Sequence, residues 1–187
     1  MNKILLTIAA AVAICFSACA QKNEKTGMKA HQTLVAYFSA TGTTAKAAQS
    51  IADITGGTLH EIAPQTAYTN ADLDWHNKQS RSSVEMGDTN ARPALKETKT
   101  DLSGYDVVFI GYPIWWDEAP RIINTFIENN DLKGKTFIPF ATSGGSSITN
   151  SVKALRQTYP DLNWKEGRLL NRASTESIQK WISANGL

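Results

Sequence analysis

Three short segments of the chain carry groups that could bind an anionic, planar ligand. The first, residues 39–44, has the sequence SATGTT and offers four hydroxyl groups and one glycine between a predicted strand and a predicted helix. Backbone N–H groups at a helix N-terminus point towards an anion, and hydroxyl groups add further donors. This segment therefore predicts a cradle for a phosphate dianion that needs no salt bridge. Helix capping alone is the alternative, although one hydroxyl would be enough for it.

Two better-known nucleotide motifs are missing from this segment. No Gly-Lys-Ser/Thr follows it, so it is not the loop that binds ATP phosphates, and it does not have the spacing G-x-G-x-x-G of dinucleotide-binding turns. ATP and NAD are therefore disfavoured as resident cofactors.

The other two segments also follow predicted strands. Residues 111–120 (GYPIWWDEAP) place two adjacent tryptophans after a buried strand, and residues 142–147 (TSGGSS) combine glycines with hydroxyls. Adjacent side chains diverge, so a planar ligand could stack on at least one tryptophan; packing of a tryptophan under the loop is the alternative. Glycines let a backbone approach a ligand closely. In an open parallel sheet these loops meet at one edge, where ligands bind.

The elements that must position these loops follow from hydrophobic patterning. Continuous apolar runs alternate with helical stripes, which is typical of a parallel sheet covered on both faces. The predicted strands are 33–39, 58–63, 106–113, 135–142 and 163–170. The predicted helices are 44–55, a segment from Pro120 through Ile127, residues 148–159, and a segment capped by Ser174 that closes at Gly186. Pro139 cannot donate to a ladder, so we expect a local bulge in its strand.

A segment of about forty residues, 64–105, separates the second and third predicted strands, which is much longer than an ordinary connection. We call it the insertion. Residues 95–102 could form the helix that a right-handed crossover requires. The earlier part is polar and aromatic and could fold over a ligand; its notable residues are Tyr68, Trp75, His76, Arg81 and Glu85. Arg81 and Glu85 could pair at i,i+4 on a short helix or contact a substrate, and we favour the pair.

The N-terminal residues are typical of export. Lys3 precedes an apolar run, Ile4 to Phe16, that is too short to span a bilayer, so residues 1–18 are interpreted as a signal peptide. Phe16-Ser17-Ala18-Cys19 resembles the lipobox of bacterial lipoproteins, in which the cysteine is lipidated. We then expect residues 19–32 to form a flexible tether to an anchor in the cell envelope. Translation from Met28 is the alternative and predicts a cytoplasmic protein.

Charge and composition exclude several functions. The 187 residues carry 19 Lys plus Arg and 17 Asp plus Glu, and 42% of them are hydrophobic. Basic residues are never adjacent, so neither a nucleic-acid surface nor a polybasic membrane patch is expected. The two cysteines lie at positions 15 and 19, so the part from residue 33 onwards can form neither a disulfide nor a cysteinyl metal site. His60 and His76 lack partners at ligand spacing, and no metal is expected.

The chain from Thr33 onwards resembles the flavodoxin-like proteins that bind FMN, because SATGTT matches their phosphate loop and GYPIWW and TSGGS look like their two flavin loops. The resemblance implies an α/β three-layer sandwich with a five-stranded parallel sheet of order 2-1-3-4-5 and helices on both faces. The domain would span residues 33–187. It implies FMN as cofactor and no catalytic side chain, since flavin supplies the redox chemistry.

The resemblance also implies roles for individual residues. The phosphate would be held by Ser39, Thr41, Gly42, Thr43 and Thr44. The flavin would be lined by Pro113, Ile114, Trp115 and Trp116, and its pyrimidine edge would meet Thr142, Ser143, Gly144 and Gly145. Electron transfer to a redox protein or a small acceptor is the expected function, with an FMN-dependent NAD(P)H or quinone-type oxidoreductase as the alternative. Unlike the acidic electron carriers of this family, the chain is nearly neutral.

Overall fold

The computed structural model describes residues 32–187, so the predicted signal peptide, Cys19 and nearly all of the predicted tether lie outside the described residues. The described part contains a parallel sheet in the order β2-β1-β3-β4-β5, with a further short strand, β6, also paired to β4. The strands are β1 Thr33–Tyr37, β2 Thr58–Glu61, β3 Val107–Pro113, β4 Thr136–Thr142, β5 Asn163–Trp164 and β6 Arg168–Leu169. The predicted order 2-1-3-4-5 is confirmed.

Helices cover both faces of this sheet. They are α1 Thr43–Thr55, α2 Arg81–Gly87, α3 Arg121–Asn129, α4 Thr149–Thr158 and α5 Thr175–Ala184. On one face, residues of α1 and α5 such as Ile51 and Trp181 pack on the sheet, and on the other face residues of α3 and α4 such as Phe126 and Leu155 do so. Ser174 caps α5 as predicted, since its hydroxyl accepts the Ser177 N–H at 3.3 Å.

The helix predicted at residues 95–102 is absent, and that prediction was wrong. Leu95 instead forms an isolated antiparallel bridge with Pro64. The Thr100 N–H donates to Asn130 Oδ1 at 2.8 Å. Threonine has a low helix propensity, so tertiary partners for the backbone outcompete a helix in this stretch. The helix within the insertion is α2, which holds the Arg81–Glu85 pair.

Pro139 also behaves differently from the expectation. β4 runs through it without interruption, with Pro139 opposite Ile110 of β3. The irregularity lies in the neighbouring strand, because β4 pairs with β5 at its start and with β6 further along, so the predicted strand 163–170 is two short pieces. Pro139 offers no N–H, and the chain at residues 165–167 leaves the ladder beside it.

The three loops therefore lie at the same edge of the sheet, as the parallel arrangement requires. Each leaves the carboxyl end of β1, β3 or β4. No helix within residues 32–187 has the length and apolar character that crossing a membrane requires.

Candidate functional site

The first loop, residues 39–44, contains a glycine in the left-handed region, Gly42, with φ of 84°. Gly42 stands at the N-cap of α1 but supplies no side-chain cap. Ser39 takes over that task, since its hydroxyl oxygen accepts the Ala45 N–H at 3.2 Å. Because the Ser39 oxygen accepts this bond, its hydroxyl proton is left to donate. The N–H groups of Thr43 and Thr44, in the first turn, bond to no group within residues 32–187.

The hydroxyl groups of this loop fall into two kinds. Thr41 and Thr43 are exposed. Thr44 is only 1% exposed, and its hydroxyl lies 2.8 Å from that of Thr142 at the end of β4. This bond joins the first loop to the third. The hydroxyls of Thr44 and Thr142 thus have a structural partner, and the donors that face outwards are Ser39, Thr41, Thr43 and the backbone. No acidic residue lies in the first turn of α1.

The second loop is a two-residue turn between Trp115 and Glu118, which we call the ring loop. Trp115 N–H donates to the Glu118 carbonyl at 3.0 Å, and Glu118 N–H donates back to the Trp115 carbonyl at 2.9 Å. The two central residues, Trp116 and Asp117, have φ of 47° and 66°. Positive φ at both positions is typical of a type I′ turn, which strongly prefers Asn or Gly. Two ordinary side-chain residues here store backbone strain.

Contacts from two helices hold this strained turn. Asn150 at the start of α4 donates from its side-chain amide to Asp117 Oδ2 at 2.5 Å. Arg121, at the start of α3 and only 8% exposed, donates from Nη1 to Glu118 Oε2 at 2.6 Å. Its other nitrogens donate to the backbone carbonyls of Asp88 at 3.2 Å and Met86 at 3.1 Å. Arg121 therefore ties the ring loop to the end of α2 in the insertion.

The two adjacent tryptophans diverge, as expected. Trp115 packs edge-on against Phe38, with ring centroids 5.6 Å apart, and against Tyr68 of the insertion, at 5.4 Å. Trp116 remains 48% exposed. Trp115 therefore packs against neighbouring aromatic rings and supports the loop, whereas the ring of Trp116 is more exposed to solvent.

Tyr68 anchors the insertion to this aromatic cluster. The Arg81 guanidinium lies over its ring at 3.9 Å, and the Tyr68 hydroxyl donates to Glu85 Oε2 at 2.5 Å. Burial, followed by the hydrogen bond to Glu85, raises the pKa of Tyr68 well above its ordinary value. Arg81 also pairs with Glu85 at 2.6 Å, so the i,i+4 pair predicted from the sequence is present. In the adjoining turn, hydrogen bonds from Thr69 lower the pKa of Asp72.

The third loop, residues 143–147, is held by a residue that sequence reasoning missed. Asn171, after β6, accepts the Ser143 N–H at 2.7 Å and donates to the Ser143 carbonyl. The Ser143 hydroxyl accepts the N–H groups of Gly145 at 3.1 Å and Ser146 at 2.8 Å. Gly144 is exposed, and its N–H bonds to no group within residues 32–187. The Gly144 amide is therefore available to a ligand.

A cavity of about 520 Å³ brings these loops together. Its lining comes from the first loop, the end of β3 together with the ring loop that follows it, the third loop and the insertion. The residues are Ala40, Thr41, Leu73, Trp75, Ser82, Pro113, Ile114, Trp115, Trp116 and Gly144. This volume lies within the range of small-molecule and cofactor sites, and a mostly apolar lining with a few polar groups has the usual composition of such sites.

The amino-acid sequence indicates the three loops but not the residues that shape two of them. Asn150 and Asn171 left no signal, because a lone asparagine at a helix start or in a loop is ordinary. Arg121 left a weak one, since a cation in the first turn of a helix is unfavourable with respect to the helix dipole and so indicates another partner. Within residues 32–187, no group of three or more His, Cys, Asp or Glu side chains is placed to bind a metal.

The fold and the loops at its edge define a doubly wound α/β protein of the flavodoxin type. A sequence model of the flavodoxin family matches residues 32–185. The chain therefore belongs to the flavodoxin family.

Solved structures agree with this assignment. A protein from Bacteroides eggerthii, provisionally described as a flavoprotein, is 64% identical with a TM-score of 0.82, and the match covers 84% of this chain and 99% of that one. A similarly described protein from Bacteroides uniformis is 60% identical with a TM-score of 0.80, covering 82% and 98%. A flavoprotein from Lactobacillus acidophilus, crystallised in complex with FMN, is 22% identical with a TM-score of 0.64, covers 81% and 99%, and shares the fold. No curated protein matches the chain.

Proposed function

We propose that the protein binds FMN without a covalent link and transfers electrons through it to a redox protein or a small acceptor. The observation that carries this proposal is the cavity in which the first loop, the ring loop, the third loop and the insertion meet. The FMN complex of the Lactobacillus acidophilus protein, which has the same fold, supports it.

The residues present fit the two ends of FMN. At one end, outward-facing hydroxyls and the first-turn amides of α1 suit a phosphate dianion, with no acidic side chain among residues 39–45. At the other end, Trp116 presents a free aromatic face, and the Gly144 amide can donate to a ring carbonyl. FMN, when bound, supplies the redox chemistry, and the protein supplies position and electrostatics.

The proposed phosphate contacts can be tested without any assumption about the redox partner. Titration of the refolded protein with FMN and with riboflavin, followed by quenching of flavin fluorescence, gives two affinities whose ratio reports the phosphate. We expect Thr43→Ala to weaken FMN binding by about tenfold and to leave riboflavin unchanged, because a hydrogen bond to a charged group is lost.

The matched control is Thr175→Ala, since Thr175 is the first residue of α5 as Thr43 is of α1. The control should bind both flavins like the wild type. Wild-type protein that quenches neither flavin would refute the proposed function.

The second candidate function is an FMN-dependent oxidoreductase that reduces quinones or other small acceptors. It is favoured by one observation, the contribution of Leu73, Trp75 and Ser82 of the insertion to the cavity wall, which gives a substrate a partly enclosed place. Stopped-flow mixing of the FMN-loaded protein with NADPH and a quinone distinguishes the two. Rapid bleaching of the flavin with turnover of the quinone supports an enzyme, and absence of both supports an electron carrier.

For the subcellular localisation, we propose that the protein is exported and anchored by a lipid on Cys19. Cys19 lies outside the described residues. The small residues before Cys19 and the apolar run before them support this proposal. Radiolabelled palmitate should enter the wild-type protein but not a Cys19→Ala variant. A protein that starts at Met28 would take up no label in either form.

A further inference from the structure

Trp75 is the most exposed of the large apolar side chains that the structure describes, at 66%. It lies in the insertion and lines the same cavity as Trp116 of the ring loop. Two exposed tryptophans thus line one cavity, and exposed apolar surface gathered at a cavity marks a ligand-binding site, unlike apolar residues scattered singly over a surface.

The backbone at Trp75 is held in a defined turn. The Asn77 N–H donates to the Asp74 carbonyl at 3.0 Å, so Trp75 and His76 are the two central residues of a tight turn. The Asp74 side chain accepts the His76 N–H at 3.1 Å and reinforces the turn. The His76 ring lies against Trp75, with ring centroids 3.5 Å apart and the two planes tilted by 33°. A bulky aromatic residue is an unusual choice for such a position, where small polar residues dominate.

The insertion that carries this turn is anchored on both sides of it. Before the turn, Tyr68 packs on Trp115 and Phe38. After the turn, Arg121 binds the carbonyls of Met86 and Asp88. The Ser82 N–H also donates to the Asp72 carbonyl at 2.9 Å, which closes the segment on itself. The segment that carries Trp75 is therefore held in place by contacts on both sides of the turn.

The third loop cannot cover a planar ring with a side chain. Its residues 143–147 are Ser and Gly only, so it has no apolar or aromatic side chain to cover a ring. The exposed aromatic faces around the cavity are those of Trp116 and Trp75. A planar ring that stacks on Trp116 leaves its other face open unless the insertion covers it.

We propose that Trp75 covers the second face of the bound flavin ring, so that the isoalloxazine lies between a tryptophan of the ring loop and a tryptophan of the insertion. This inference rests on the proposed binding of FMN and assigns the insertion a role in ring recognition. It makes Trp75 a determinant of affinity for the ring system and not for the phosphate.

The test compares Trp75→Ala, Trp75→Phe and the wild type, each titrated with FMN and with riboflavin. Because one stacking contact is lost, we expect Trp75→Ala to lower the affinities for FMN and for riboflavin by the same factor, about tenfold. Trp75→Phe should retain most of both affinities. The matched control is Val84→Ala, a truncation of another exposed apolar residue of the insertion, which does not line the cavity. Thermal unfolding of each flavin-free variant confirms that the fold is retained.

The outcomes distinguish failure of the proposed role of Trp75 from failure of FMN binding. Equal affinities for Trp75→Ala and the wild type, an equal loss in Val84→Ala, or a loss for FMN alone would overturn the role of Trp75 while leaving FMN binding intact. Wild-type protein that binds neither flavin would overturn both proposals at once.

Discussion

The first loop and the ring loop reach a similar backbone conformation by different means. In the first loop the positive φ falls on Gly42, where a side chain would be strained, and a Cβ there would meet no other atom. In the ring loop the positive φ falls on Trp116 and Asp117, which have side chains. The first loop is unstrained because glycine adopts this conformation readily. The ring loop is strained and is held by contacts from other elements of the fold.

This difference shows where each conformation is encoded. Gly42 populates the left-handed region without help, so the first loop depends on local sequence. The ring loop depends on Asn150, Arg121 and the packing of Trp115, which come from other elements of the fold. A strained turn persists only when its surroundings over-determine it. The ring loop should therefore respond to distant substitutions that leave the first loop unchanged.

The largest effect is expected where the two loops share one support, at Gly111 of β3. Its carbonyl accepts the N–H of Phe38, which directly precedes the first loop, and a Cβ at Gly111 would lie 2.1 Å from the nearest ring atom of buried Phe140. Gly111→Ala should lower the free energy of unfolding by about 3 kcal/mol, since a packed core cannot yield so far. Denaturant titration measures this, with Gly87→Ala as control because a Cβ at Gly87 meets nothing within 4 Å.

The second largest effect is expected for Arg121→Met, which should lower the free energy of unfolding by about 2 kcal/mol. Glu118 and the backbone carbonyls of Met86 and Asp88 lose a charged donor in this variant. The comparison predicts more than a stability change. Amide hydrogen exchange should speed up at Trp115 and Glu118 and stay unchanged at Ala45. Arg172→Met, at an exposed arginine, is the control. Equal acceleration at Ala45 would contradict the independence of the two loops.

Gly42→Ala should cost about 1 kcal/mol, because alanine is strained at a φ of 84° although space is free. Gly145→Ala is the matched control, since Gly145 has neither a positive φ nor a neighbour within 4 Å. Thermal unfolding of the two variants compares them. If both variants unfold at the same temperature, the left-handed conformation of Gly42 is not what stabilises the first loop.

Asp117→Gly should have the smallest effect, with a net change close to zero. Glycine relieves the strain at a φ of 66° but gives up the bond from Asn150, and each contribution is about 1 kcal/mol or less. Asn150→Ala removes the bond without relieving the strain, so it should be the more destabilising of the two. Chemical denaturation of both variants gives the order, and the reverse order would show that the Asn150 contact matters less than we infer.

Much of the fold could be predicted because its signals are short-range. Continuous apolar runs predicted the strands, and i,i+3/i+4 stripes predicted α1, α3, α4 and α5. The failures have a common cause. Residues 95–102 have a weak helical pattern whose backbone finds partners elsewhere, and the effect of Pro139 is taken up by the neighbouring strand rather than its own. In both places a contact distant in sequence overrode a local tendency.

The layered α/β order and the position of the three loops follow from the amino-acid sequence alone, because these features depend on hydrophobic periodicity and on residue type over a few positions. The support of the ring loop, the bonds between Asn171 and Ser143, and the location of Trp75 become visible in the folded structure. These contacts join residues far apart in the chain, such as Asn150 and Asp117, 33 positions apart, and Asn171 and Ser143, 28 apart. No local pattern encodes such pairs, because the folded sheet alone brings them together.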